Sequence, residues 1–329
     1  MIFKCKNCEG NVVYSPEAKK MVCPYCESEG SEERRDYTVN DIKICPNCSG
    51  EVPVLEHTSA IQCPYCDNYL ILNPRVENEY APRWVIPFQM GKENCKKAIR
   101  EHFKKCLFAP TDFLSEARLN GMQGVYVPFW FYDYDTTCTY EGEGRKVRTW
   151  TSGNTEYRET SYFSVYRDMD IAFRKMPVDA SEDMPDEVMD LLEPFRYEQL
   201  EEFKPEFLSG FYGEKYSITS DVLESRVKRK MDKDVDDMMR DTYAGYTSVK
   251  TISSNNFINR SEVNYGLLPV WKYIYKYQEK EYPFYVNGQT GKIVGTPPIS
   301  VKKVWAYAIS MGLSLTAVLA LFNGIMYFI

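Results

Sequence analysis

The sequence predicts an α+β protein with three parts in order: tandem zinc ribbons of four cysteines each, a mixed α/β middle domain with antiparallel strands, and one C-terminal transmembrane helix. Three observations support this. Eight of the 11 cysteines lie in residues 1–72, and the last 26 residues carry no charged side chain. Between these parts, helical and strand patterns follow each other without the regular alternation of a βαβ fold, which favours the α+β class.

The length and composition agree with a folded, multi-part chain. The 329 residues allow about two domains, and a hydrophobic content of 44% excludes a disordered protein. We expect tandem ribbons at 1–72 (1–36 and 41–72), a linker at 73–82, an α+β domain at 83–301 and the membrane helix at 304–329.

The first part contains a duplicated cysteine motif. Cys-x-x-Cys pairs begin at residues 5, 23, 45 and 63, so the second set repeats the first after 40 residues. Two such pairs complete the tetrahedral shell of four sulfurs that Zn²⁺ prefers. The predicted ligands of one Zn²⁺ are Cys5, Cys8, Cys23 and Cys26, and those of the other are Cys45, Cys48, Cys63 and Cys66. Four protein ligands leave no open position, so both ions should be structural.

Other interpretations of the cysteines are weaker. Disulfides are disfavoured because the chain is expected to face a reducing cytosol, and a redox motif would be single rather than fourfold. His57 is surplus to a complete ligand set and is expected in a surface loop. Cys95 and Cys106 are expected on one helix face as buried apolar residues, while Cys138 gives no clear indication.

The middle domain contains four helical and several strand patterns. Helices are predicted at Lys92–Leu107, Thr111–Gly121, Pro185–Leu192 and Asp221–Tyr243 from apolar spacing and end signals. Strands are predicted at Val125–Tyr134, Arg145–Trp150, Tyr157–Arg167 and Ile171–Met176, with two more flanking an Asn287-Gly288 turn.

The C-terminal run from Val304 to Ile329 is long enough to span a bilayer. As a helix, 26 residues extend about 39 Å, against a hydrocarbon core of about 30 Å. Lys302 and Lys303 precede it, with Trp305 and Tyr307 at its near end and Tyr327 at its far end. This arrangement predicts a cytoplasmic N-terminal side. No basic and apolar leader pattern follows Met1, so the body is expected to stay where it is made.

Small residues recur every fourth position in this helix, which predicts association with a second helix. They are Ala308, Gly312, Thr316, Ala320 and Gly324. The alternative is that glycine and alanine are simply common in membrane helices.

Enzyme motifs are absent from the sequence. No H-E-x-x-H, G-x-S-x-G or G-x-G-x-x-G pattern occurs, and Gly291-Lys292 lacks the rest of a Walker loop. We therefore expect no catalytic residues and no cofactor beyond zinc. Residues 1–72 hold seven basic and eleven acidic side chains, and two zinc centres with four thiolates each bring their charge to about −8. Such a surface makes nucleic-acid binding unlikely.

Several ordered motifs of the middle domain follow the ribbons. They are Pro-Phe-Trp at 128–130, Met-Pro-Val-Asp-Ala-Ser at 176–181, Leu-Pro-Val-Trp at 268–271 and Val-Asn-Gly-Gln-Thr-Gly-Lys at 286–292. With the ribbons and the C-terminal helix, this order resembles the bacterial TFIIB-type zinc-ribbon-containing membrane proteins, some of which are labelled after the zinc region of a primosomal helicase. The helicase label is not carried over, because no ATPase motif is present.

The resemblance implies a membrane-anchored accessory protein of the bacterial cell membrane, associated with phage-shock-type or SPFH-type membrane-maintenance proteins. From these observations together, we expect a single-pass adaptor or scaffold that faces the cytoplasm and binds protein partners. The alternative is a membrane-tethered nucleic-acid-binding protein. A third hypothesis is an enzyme whose site a single sequence does not reveal.

Overall fold

A computed structural model of the chain describes residues 1–34 and 42–326. Its α-helices are α1 (Lys92–Phe103), α2 (Glu116–Leu119), α3 (Asp186–Leu192), α4 (Ser220–Asp241) and α5 (Val301–Met326). Short 3-10 helices occupy Asn73–Arg75, Asn78–Tyr80, Tyr197–Gln199 and Pro205–Leu208.

The strands are short in the ribbons and much longer in the body. The ribbon strands are β1 (Ile2–Cys5), β2 (Val13–Ser15), β3 (Lys20–Val22), β4 (Ser31–Arg34), β5 (Ile42–Ile44), β6 (Glu51–Pro53), β7 (Thr58–Gln62) and β8 (Tyr69–Ile71). The body strands are β9 (Trp84–Val85), β10 (Gln123–Ser152), β11 (Thr155–Asp179), β12 (Glu201–Glu202), β13 (Tyr212–Glu214), β14 (Ser248–Tyr277), β15 (Lys280–Asn287) and β16 (Ile293–Val294).

One mixed sheet connects the body to the second ribbon. Its centre is β10, which pairs antiparallel with β11 on one side and β14 on the other. Two pairings are parallel, β10 with β13 and β14 with β9, so the antiparallel prediction holds for most of the sheet but not all of it. Through β13 the sheet continues into β7 and β8, which belong to the second ribbon.

The outer parts of three strands form a long extension, here called the arm. It consists of 133–152 of β10, 155–173 of β11 and 248–264 of β14. A strand of 30 residues such as β10 extends about 100 Å. The strands predicted at Val125–Tyr134 and Arg145–Trp150 are therefore parts of one strand, and those predicted at Tyr157–Arg167 and Ile171–Met176 are parts of another. The separate strands were wrong because polar residues on the solvent face of the arm resemble turns.

Helix α4 packs along one face of the arm. Its apolar side chains recur every fourth position and are buried: Leu223, Val227, Met231, Val235 and Met239. They contact the tyrosines and methionines that β10 and β11 place on this face. The predicted helix Asp221–Tyr243 is confirmed, with its ends shifted by one and two residues.

The remaining predicted elements are confirmed in part. Helix α1 begins at Lys92 as expected but ends at Phe103, so Cys106 lies beyond it. The helix predicted at Thr111–Gly121 is reduced to α2, and the turn before it buries Phe113 against Tyr275 and Phe284 of the sheet. Pro185 precedes α3 as its N-cap, and β15 and β16 flank the Asn287-Gly288 turn as predicted.

Helix α5 is almost entirely exposed from Val301 to Ala320. From Val301 to Ala320, none of its most apolar window is buried in the protein. Among the described residues it is the one helix long and apolar enough to span a membrane. It begins three residues before the predicted start, while the predicted aromatic anchor Tyr327 lies outside the described residues. Its N-terminal end is attached to the body, since the Ser300 N–H donates to the Phe108 carbonyl at 2.7 Å.

Candidate metal centres

All four Cys-x-x-Cys turns have the same backbone conformation. In each, the residue after the second cysteine has a φ between 57° and 60°, and its N–H donates to the carbonyl of the first cysteine at 2.8–3.0 Å. These residues are Glu9, Glu27, Ser49 and Asp67. Since a left-handed residue is needed to close so tight a turn, the conformation brings both thiols of a pair to one side.

The turns bring the eight predicted ligands together as two clusters of four. Within each cluster all four sulfurs lie within 4.8 Å of one another. The shortest Sγ–Sγ distances are Cys5–Cys26 at 3.6 Å, Cys8–Cys23 at 3.5 Å, Cys45–Cys66 at 3.6 Å and Cys48–Cys63 at 3.8 Å. A disulfide would need about 2.05 Å. A tetrahedron with metal–sulfur bonds of about 2.3 Å has edges of about 3.8 Å. The donor set therefore fits a tetrahedral metal ion.

Polar neighbours favour the thiolate form of Cys26 and Cys66, whereas burial raises the pKa of Cys45 and Cys63. The Ser28 hydroxyl lies 2.8 Å from Cys5 Sγ and 3.2 Å from Cys26 Sγ. Its hydrogen bond lowers the pKa of the Cys26 thiol to about 6. In the second cluster, burial raises the pKa of Cys66, but hydrogen bonds from Asn68 and Asn47 outweigh burial and lower it to about 6. Because metals bind thiolates, these contacts favour metal binding near neutral pH.

Sequence reasoning missed Ser28 and Asn68. Both stand two residues after the second cysteine of a pair, and their carbonyls also accept the N–H of the pair's first cysteine, at 3.0 Å and 2.8 Å. The signal was present, because this position holds a polar side chain in the second pair of each ribbon and glycine in the first.

Each cluster holds one tyrosine in an exposed position. Tyr25 is 72% exposed and Tyr65 is 68% exposed, and both stand inside a Cys-Pro-Tyr-Cys turn. Their rings lie over Gly10 and Gly50, where an added Cβ would approach a ring carbon to 2.6 Å and 2.5 Å. The repeated glycines are therefore explained by the close approach of the tyrosine rings.

The two clusters are attached to each other and to the body. Ile2 of the first ribbon is 1% exposed and packs among the buried residues of the second, including Cys45 and Cys63. The first ribbon also contacts the body, where the Tyr14 N–H donates to the Ser209 carbonyl at 2.8 Å. The ribbons and the body thus share packed contacts.

The other predicted residues lie outside the clusters. His57 lies in a turn beside β7 and is half-buried there, and its carbonyl accepts the Lys215 N–H at 2.8 Å. Cys95 is fully buried on α1, and burial raises the pKa of its thiol to about 12. Cys106 is half-buried, and Cys138 is buried on β10 against α4. None of them joins a group of potential metal ligands in the described chain.

A cleft of about 610 Å³ lies between the two ribbons and the body. Aromatic side chains such as Tyr14 and Trp271 line it, and burial lowers the pKa of Lys92 at its edge. Its two carboxylates, Glu17 and Glu93, are exposed, and no cysteine or histidine stands among its lining residues.

Comparisons with known proteins connect the chain to a bacterial relative. No protein-family model matches the chain, and no solved structure matches it. The uncharacterized protein YdjG of Bacillus subtilis (strain 168) is 40% identical over 239 residues, which cover 72% of this chain and 70% of YdjG. At this identity and coverage, the chain belongs to the same family as YdjG.

Proposed function

We propose that this protein is a membrane-anchored zinc-ribbon adaptor or scaffold that faces the cytoplasm and binds protein partners. The observation that carries the proposal is the pair of exposed tyrosines, Tyr25 and Tyr65, which the two clusters hold at equivalent positions. Tyrosine is enriched at protein interfaces because its ring supplies contact area at a low entropic cost. A duplicated metal-braced turn presenting the same ring twice suits recognition of a protein surface.

The metal in both clusters is proposed to be Zn²⁺. Four cysteine thiolates in tetrahedral geometry select zinc, or less readily iron. The sulfur–sulfur distances of 3.5–3.8 Å match the edge of about 3.8 Å expected around zinc. When bound, zinc supplies folding energy to the ribbons rather than catalysis, because four protein ligands leave no position for water.

Helix α5 is proposed as the membrane anchor, with the ribbons and the body on the cytoplasmic side. Lys302 and Lys303 at its start support this orientation by the positive-inside rule. The resemblance to zinc-ribbon membrane proteins supports a role in membrane maintenance or stress response in the bacterial cell membrane. It suggests phage-shock-type or SPFH-type proteins as partners.

Nucleic-acid binding is the alternative, and charge argues against it. The exposed face of the first ribbon pairs Lys20 with Glu29 at 2.5 Å, so one of its few cations is already neutralised. Affinity for nucleic acid depends mainly on cations that meet phosphates, and it falls steeply as salt rises.

The proposal is tested by capturing proteins from native membranes in mild detergent. A chain with both Tyr25→Ser and Tyr65→Ser should retain its zinc and lose its captured partner at least tenfold. Leu55→Ser, at a position 77% exposed in the second ribbon, is the matched control and should retain the partner. Equal capture by all three chains would contradict the proposal. Salt-sensitive binding of nucleic acid to the pure chain would favour the alternative.

A further inference from the structure

The arm has a long free edge. Strand β11 pairs only with β10 in the described chain, so the outer edge of residues 155–173 has no strand partner there. Its side chains are mostly exposed, including Tyr162 at 61%, Phe163 at 40% and Tyr166 at 58%. An exposed edge of this length is a template for pairing with a strand of another chain.

Symmetry restricts how two copies of β11 could pair. A closed dimer needs a two-fold axis, and two adjacent antiparallel strands are related by an axis perpendicular to their sheet. Directly opposite residues of an antiparallel pair point to the same face. The axis must then pass beside a residue that lies opposite its own copy. Each possible register is therefore defined by one central residue of β11.

The charges of β11 select one of these registers. With Phe163 at the centre, Arg158 lies opposite Asp168 of the second copy, and Glu159 lies opposite Arg167 of the second copy. Symmetry doubles these to four pairs of opposite charge. Glu156 opposite Asp170 is a like-charge contact, which symmetry also doubles, and its two copies fall at the ends of the overlap. No other symmetric register of β11 places two different cations opposite anions of the second copy.

The aromatic residues lie where this register needs them. Phe163 would face its own copy across the axis, and aromatic pairs between opposite strands stabilise sheets. Tyr162 would lie opposite Ser164 of the second copy, and Tyr166 opposite Thr160, so each large ring meets a small side chain. The centre of the contact is then aromatic and its flanks are charged, as in stable protein interfaces.

We propose that this protein forms a symmetric dimer in which β11 pairs antiparallel with β11 of a second copy, centred on Phe163. The two arms together make one continuous six-stranded sheet. The free edge of β14 is a poorer candidate. Its exposed part carries three charges, Lys250, Arg260 and Glu262, and any symmetric register places at most one cation of this set opposite the carboxylate.

The competing explanation is that the charges of β11 prevent strand pairing, as edge charges do in many sheets. The two explanations predict opposite effects of the same substitutions. If charge pairs hold the dimer, reversing one charge weakens association and reversing its partner restores it. If the charges repel a second strand, exchanging them brings no recovery of a dimer.

The first test measures the dimer dissociation constant of the full chain in mild detergent by analytical ultracentrifugation. Arg158→Glu should raise it at least tenfold, because a like-charge contact then occurs twice in each dimer. The double variant Arg158→Glu with Asp168→Arg should return it to within threefold of the unchanged chain. Lys250→Glu makes the same charge change on the β14 edge of the arm and should have no effect.

The second test traps the register by a disulfide. Two opposite residues of antiparallel strands have Cα atoms about 4.5–5.5 Å apart, within the range that a disulfide spans. Phe163→Cys should therefore give a covalent dimer on mild oxidation. Tyr157→Cys should not, since its two copies would lie about 40 Å apart. The unchanged chain, with its 11 native cysteines, is carried through the same oxidation.

Three results would overturn the dimer. They are an unchanged dissociation constant in Arg158→Glu, no recovery in the charge-exchanged double variant, and equal crosslinking at positions 157 and 163. All the substituted residues are exposed in the single chain, so the variants should fold. Retention of two metal ions and an unchanged circular dichroism spectrum check this.

Discussion

The chain should lose about 1 kcal/mol of stability through Asp179 between pH 6 and pH 9, and replacing Asp179 with asparagine should abolish this loss. Asp179 ends β11 and is 1% exposed. Its Oδ1 accepts a hydrogen bond from Arg226 Nη1 of α4 at 3.0 Å, while its Oδ2 is buried without a hydrogen-bond partner. Arg226 is shared, since it also contacts Asp186 at 2.9 Å and Asp190 at 3.1 Å.

Lys230 also pairs with Asp190, at 2.7 Å, so Arg226 is the cation that contacts Asp179, and shared among three carboxylates it does not fully compensate the buried charge. Burial is the largest effect on Asp179 and raises its pKa from 3.8 to about 7, although Arg226 acts in the opposite direction. An acid with a raised pKa binds its proton more tightly in the folded chain than in the unfolded chain. Its contribution to stability is complete below pH 3.8 and is lost as the pH rises through about 7.

The size of the effect follows from the two pKa values. A rise from 3.8 to about 7 corresponds to roughly 4 kcal/mol between the acidic and alkaline limits, at about 1.36 kcal/mol per pH unit. Most of this change falls below about pH 6, where protonation of cysteine also releases metal. Between pH 6 and pH 9 the remaining loss is about 1 kcal/mol.

The assay is urea unfolding of the full chain in mild detergent, at several pH values from 6 to 9. The free energy of unfolding of the unchanged chain, relative to Asp179→Asn, should fall across this range. Asp183→Asn, at an exposed position near α3, is the control and should keep the pH dependence of the unchanged chain. A difference that stays flat, or rises with pH, would refute the assignment of a raised pKa to Asp179.

Three further predictions concern the metal, the core and the membrane helix. Cys23→Ser should reduce the zinc content from two ions to one, measured by elemental analysis, and two retained ions would refute the ligand set. Gly124→Ala should lower stability by about 1–3 kcal/mol, because the added Cβ would lie 2.6 Å from a buried aromatic ring. Gly121→Ala, with a nearest contact of 3.4 Å, is its control in the same thermal unfolding assay. Gly312→Leu should weaken helix association in a membrane two-hybrid assay, while Leu313→Ala should not. Equal association of both variants would show that the small residues do not form a helix contact.

The metal clusters and α4 were predictable because their signals are local. Ligand spacing alone defines a Cys-x-x-Cys turn, so the sequence sufficed to group the eight cysteines that the structure brings together. Helix α4 was equally clear, since an apolar residue at every fourth position marks the face that packs on the sheet.

The arm was not predictable in the same way, because its pairing is non-local. Residues 248–264 of β14 are rich in serine and asparagine and resemble a loop, yet they pair with β10 residue by residue. The stretch between Tyr134 and Arg145 contains glycines and acidic residues, which suggested a turn inside what is one strand. Strands with one solvated face normally alternate clearly, but the buried positions of β10 include Thr136, Gly142 and Gly144, so hydrophobic periodicity underestimates its length.

The two ribbons arose as copies of one motif, but they occupy different places in the fold and are not interchangeable. Both use the same turns, but their strands find different neighbours: β3 pairs with β2 inside the first ribbon, whereas its counterpart β7 also pairs with β13 of the body. Ile2 then fills the core of the second ribbon, so the first closes over the second. A duplicated module that had remained independent would keep equivalent pairings in both copies. The structure instead joins the ribbons that carry Tyr25 and Tyr65 through a shared core, so the two metal turns do not belong to independent modules.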